Sequence, residues 1–118
     1  ASPFGGGMGR LREVCGAVSG MLMVLGILCG YDDTEDPKLK LELYEQVQEL
    51  AVQFEQENGS IICRELLGLL EKRSSPAPDA RTAEYYKERP CDALVGSAAA
   101  ILDEFLQKRD IKADRDVL

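Results

Sequence analysis

The sequence has no histidine and no tryptophan. Without imidazole, His-based acid–base catalysis and His-ligated metals are excluded. No Cys-x-x-Cys is present, so the thioredoxin-type and zinc-ribbon signatures are both absent. Basic residues are in the minority: 14 Lys and Arg against 21 Asp and Glu leave a net charge of -7. That balance argues against nucleic-acid binding, which needs a basic surface. It also argues against electrostatic binding to anionic lipid. No secretory signal stands at the start, no internal repeat occurs, and no segment reads as a strand. Four cysteines in 118 residues are too sparse for a disulfide-stapled miniprotein. A cytoplasmic location is the resulting expectation. The chain opens at Ala1 in what reads as a loop, so further residues are expected upstream.

What is present fits one helical domain, residues 1–118, large enough for a single core. From Val14 to Tyr31 there is no charged residue, a run that just reaches transmembrane length. Four glycines interrupt it, and the helices that follow are apolar on one side only. Those faces need a partner, and a helix apolar all round suits the centre of a bundle. The expectation is therefore an all-α bundle around that helix, without membrane insertion.

The first helix is expected from Glu13 to Cys29, with Gly30 as its stop. Gly16 and Gly20 share a face with Ala17 beside them, a smooth strip for close backbone approach. Asp36-Pro37 is an N-cap and first-turn pair. It opens a helix to Glu57, closed by Asn58-Gly59. Leu39, Leu43, Val47, Leu50 and Phe54 form its stripe. A third helix is expected from Ile61 to Lys72, weakened by Gly68. Residues 74–79 read as a loop, and Thr82 to Arg89 as one or two helical turns. The last helix is expected from Pro90 to Lys108. Its core face is Leu94, Val95, Ala98, Ile101, Leu102, Phe105 and Leu106. The charged tail after Asp110 is expected to fray.

Three of the four cysteines fall at helix starts. Cys15 follows the glycine stretch 5–9, Cys63 follows Ser60, and Cys91 follows Pro90. First-turn amides and the helix dipole stabilise a thiolate and raise its reactivity. Arg64, beside Cys63, and the cluster of Tyr85, Tyr86, Arg81, Lys87 and Arg89 are lesser candidates. Cys29 lies about 21 Å from Cys15 along one helix, so the two cannot pair. Cys29 reads as a small core hydrophobe. If the three helix starts converge, Cys15, Cys63 and Cys91 make either a dithiol/disulfide couple with a resolving thiol or three ligands of a metal or Fe–S cluster. Core cysteines near helix ends are the bland alternative. Gly5, Gly6, Gly7 and Gly16 are the candidate cofactor-binding positions. The loop glycines either cradle an anion or, more simply, take positive φ and let the chain pass close to Cys15.

The segment Phe4-Gly5-Gly6-Gly7-Met8-Gly9-Arg10, followed by Cys15-Gly16-Ala17-Val18-Ser19-Gly20, resembles the CGAxxG motif of the C-GCAxxG-C-C family of small redox-active proteins. Residues 58–68 resemble its second block, and Pro90-Cys91 with Leu94-Val95 its third. The resemblance implies four characteristic cysteines, three matching Cys15, Cys63 and Cys91. The remaining one would lie in a helix before Ala1, and Cys29 does not match it. The family's members are bacterial and archaeal, often encoded near transporter genes. The first expectation is a thiol redox or electron-transfer protein with Cys15 as the best nucleophile. The alternatives are a metal or Fe–S module on the same sulfurs and a structural accessory of a transporter system. The expected partners are an unassigned redox partner, a second copy of the chain over exposed apolar surface, and transporter components.

Overall fold

Asp36 begins the longest helix as the sequence predicts: its carboxylate accepts a hydrogen bond from the Lys38 amide at 2.9 Å. Pro37 occupies the first turn, where its missing N–H costs nothing. The computed structural model describes residues 2–32, 35–68, 75–77 and 90–109. After a 3-10 turn at Ser2–Phe4 come α1 (Gly5–Met8), α2 (Gly16–Cys29), α3 (Pro37–Asn58), α4 (Cys63–Leu66) and α5 (Cys91–Lys108). The protein is helical, as expected. An isolated antiparallel bridge between Val14 and Ile62 is its one β-type pairing among the described residues.

One stripe from each long helix makes the core. Val18, Met21 and Leu25 of α2 meet Leu50 and Phe54 of α3. Leu94, Ala98, Ile101, Leu102 and Phe105 of α5 complete it. The three- and four-residue spacings set each group on one helix face. Leu43 and Val47 pack against this cluster only partly buried. Val95 departs from the expected core face: it is 58% exposed. Ile27 of α2 is 53% exposed, so the apolar helix is not enclosed on every side. No helix among the described residues is long and apolar enough to cross a membrane.

Several boundaries differ from expectation. Helix α2 starts at Gly16, not Glu13, because residues 13–15 pair with residues 61–63 instead. The same pairing delays α4 to Cys63. Leu66 is its last residue, and Gly68 takes φ +67° beyond it. Pro90 is the N-cap of α5 rather than its first residue. The expectations for residues 69–72, 82–89 and the tail after Asp110, with the tyrosine–arginine cluster, lie outside the described residues.

The ends of the helices fix which sulfurs share an end of the bundle. Cys29, closing α2, feels the charge of Arg109, just past α5. Both helices therefore finish together, and α2 and α5 run in the same direction. Their starts, at Cys15 and Cys91, fall at the opposite end. Helix α3 runs the other way: Asn58 at its end donates to Ser97 Oγ at 2.9 Å. Its Glu49 takes the Arg109 guanidinium at 2.6 Å. The chain leaving α3 thus re-enters the end where Cys15 and Cys91 start their helices.

Candidate functional site

At that end the glycine stretch folds back on the chain that follows it. Gly6, Gly7 and Gly9 take φ of +67°, +69° and +59°, open to glycine without steric cost. Met8, Arg10 and Arg12 are also left-handed, at +71°, +69° and +62°. The Arg12 amide donates to Gly6 O at 3.3 Å, and the Glu13 amide to Gly7 O at 3.0 Å. This return makes Gly7 indispensable: a Cβ there would lie 2.6 Å from the Cys63 Cβ. The loop was expected to pass close to Cys15, and it does so one residue on. A Cβ on Gly16 would sit 3.0 Å from Phe4 O.

The bridge between residues 13–15 and 61–63 brings two cysteines together. The Cys15 amide donates to Ile61 O at 2.8 Å, and the Cys63 amide to Glu13 O at 2.6 Å. Val14 and Ile62 oppose each other between these bonds. Side chains alternate along a paired segment, so Cys15 and Cys63 stand on one face as a diagonal pair. Such pairs have Cα atoms about 7–8 Å apart. Cys15 is half-buried and Cys63 buried; both are free thiols.

Cys15 is the N-cap of α2. The Ala17 and Val18 amides face its sulfur and favour the thiolate, without forming a regular capping hydrogen bond. Burial outweighs them. It pushes the Cys15 thiol above its ordinary value of 9.0, and neighbouring Cys63 adds to the rise. Burial thus works against the activation expected from the helix start of Cys15. Desolvation of the charged form exceeds what two amides return. Burial also raises Cys29, with Arg109 opposing it, in keeping with a core cysteine.

Cys63 touches a charge. The Nη1 of Arg12 donates to Cys63 Sγ at 3.6 Å, and Arg12 is only 4% exposed. Sequence reasoning did not single out Arg12. The one available signal was its place as the last cation before the uncharged run. Arg64, the expected cationic neighbour, turns elsewhere: it pairs with Glu13 at 3.3 Å and donates to Arg12 O at 3.3 Å. Cys91 is half-buried at the start of α5. Among the described residues no three Cys, Asp or Glu side chains are placed to hold a metal ion.

Gly16, Ala17 and Gly20 line an apolar groove of about 300 Å³ with Val95, Ala98 and Leu102. The smooth strip on α2 is thus partly open, and nothing lies within 4 Å of a Cβ on Gly20.

A family model described as "Putative redox-active protein (C_GCAxxG_C_C)" matches residues 1–105. No curated protein and no solved structure matches the chain.

Proposed function

The chain belongs to the C_GCAxxG_C_C family, and on that premise we propose that it works by thiol–disulfide exchange between Cys15 and Cys63. The observation that carries this reading is the Val14–Ile62 bridge, which sets both cysteines on one face of the same joint. Cys15, the less buried of the two, is the sulfur that meets an external partner. Cys63, buried behind the glycine loop, is the sulfur that resolves the mixed disulfide. Cys91 starts its helix at the same end of the bundle and serves as the third, exchanging thiol.

The test is oxidation of the folded protein with oxidised glutathione, followed by mass mapping of the links. The expected product is a Cys15–Cys63 disulfide that external thiols reverse. Cys63→Ser should accumulate a glutathione adduct on Cys15, whereas Cys15→Ser should leave the buried Cys63 without one. A folded chain that never joins Cys15 to Cys63 refutes the reading.

A further inference from the structure

A buried guanidinium is an uncommon neighbour for a thiol. Arg cannot lose its charge in a protein, and a buried charge is costly unless hydrogen bonds and opposite charge meet it. Arg12 is 4% exposed, and its Nη1 donates to Cys63 Sγ. Its backbone is left-handed at φ +62°, a conformation that costs free energy for a long side chain and persists only where surroundings impose it. Those surroundings are visible. The Arg12 amide is tied to Gly6 O, and its carbonyl accepts from both the amide and the Nη1 of Arg64.

We infer that Arg12 is a positioning residue for exchange at Cys63: its guanidinium meets the negative charge that this sulfur carries when it attacks or leaves. The inference rests on the Cys15–Cys63 exchange proposed above. With a small external disulfide as oxidant, Cys15 Sγ gives its proton to solvent and attacks one sulfur of that disulfide. The external S–S bond breaks, and the first external thiolate leaves and is protonated. Cys63 Sγ, having also lost its proton, then attacks Cys15 Sγ. The mixed S–S bond breaks and the second external thiol leaves. The protein loses two electrons and two protons, and the external disulfide becomes two thiols. In reverse, an external thiolate attacks Cys15 Sγ, and Cys63 Sγ departs with the electron pair. Only the steps in which Cys63 carries charge involve the Arg12 side chain.

Arg12→Gly separates this role from a structural one. It removes the guanidinium, while glycine suits the left-handed backbone at that position. The measurement is stopped-flow reaction of the reduced protein with oxidised glutathione, timing mixed-disulfide formation at Cys15 and closure by Cys63 separately. Closure should slow about tenfold, the scale of one hydrogen bond to a charged group. The first step should stay within about twofold of the parent, since it contains no charged Cys63 and no such bond. Arg12→Lys, which keeps the charge but not the fork, should fall between. Closure at the parent rate in Arg12→Gly overturns the inference, and so does equal slowing of both steps. If the parent protein forms the adduct at Cys15 but never closes it, the exchange reading itself fails. That outcome is distinct from a wrong role for Arg12.

Discussion

Replacing Gly7 by alanine puts a methyl group where three atoms already stand. The added Cβ would lie 2.6 Å from the Cys63 Cβ, 2.8 Å from the Glu13 amide nitrogen and 2.9 Å from the Arg12 Cα. Two of these belong to backbone, so no rotamer change relieves the clash. Alanine must also hold φ +69°, which costs about 1–2 kcal/mol. Forcing a methyl into packed surroundings adds about 1–3 kcal/mol. The sum, about 2–5 kcal/mol, is a large part of a small domain's stability. Gly9→Ala is the control. It has φ +59°, but its nearest neighbour is Pro3 O at 4.0 Å, so only the backbone cost applies. Loss of unfolded-chain freedom is the same in both and cancels. Urea unfolding compares them directly. With a slope of about 1–3 kcal/mol per molar, Gly7→Ala should unfold at a midpoint about 1 M below Gly9→Ala. Midpoints within about 0.3 M of each other, at equal slope, would show that the loop does not close on Cys63 as described.

The raised Cys15 thiol makes stability depend on pH in a set direction. The folded chain keeps a proton that the unfolded chain releases near 9.0, so this contribution is whole below that value. It is lost as pH climbs through the native value. Urea midpoints followed from about pH 8 to about 10.5 should fall at the alkaline end, and the fall should shrink in Cys15→Ser; identical profiles refute the assignment. In the core, Leu25 is fully buried. Leu25→Ala should cost about 2–5 kcal/mol through lost burial and a residual cavity, whereas Val95→Ala on the groove rim should stay within about 0.5 kcal/mol. Thermal denaturation of the pair checks both.

The elements legible in the sequence are those set by local signals. Helix α3 carries its start in Asp36-Pro37, its face in Leu50 and Phe54, and its stop in Asn58-Gly59. Gly59 takes the left-handed C-cap at φ +96°. Cys15, Cys63 and Cys91 do stand at helix starts. What periodicity could not give is the pairing of residues 13–15 with 61–63. That pairing joins stretches far apart in the chain, and it removed Glu13, Val14, Ile61 and Ile62 from their expected helices. Arg12 escaped notice for the same reason: its partner sulfur is 51 positions away. The sign of the Cys15 shift was illegible too. Amides at a helix start are a local feature, but the burial that outweighs them comes from tertiary packing, with Cys15 lying against the core cluster.

A disulfide between Cys15 and Cys63 would close about 50 residues into a ring, worth roughly 4 kcal/mol in the chain-entropy account. A bond that gained all of this would be strongly favoured in the folded chain and correspondingly hard to reduce. The ladder works against the full gain. Diagonal partners sit about 7–8 Å apart at Cα, while an unstrained disulfide wants about 5.5–6 Å. Closing the bond must therefore draw residues 13–15 and 61–63 together, against hydrogen bonds that hold their present spacing. That strain offsets part of the entropic gain and leaves the couple reversible, which a protein trading disulfides with partners requires. Urea unfolding of the oxidised and reduced forms measures the remainder. The oxidised form should be the more stable by clearly less than about 4 kcal/mol. A gain at or above that figure would mean an unstrained, structural crosslink and would remove the physical basis for exchange at this pair.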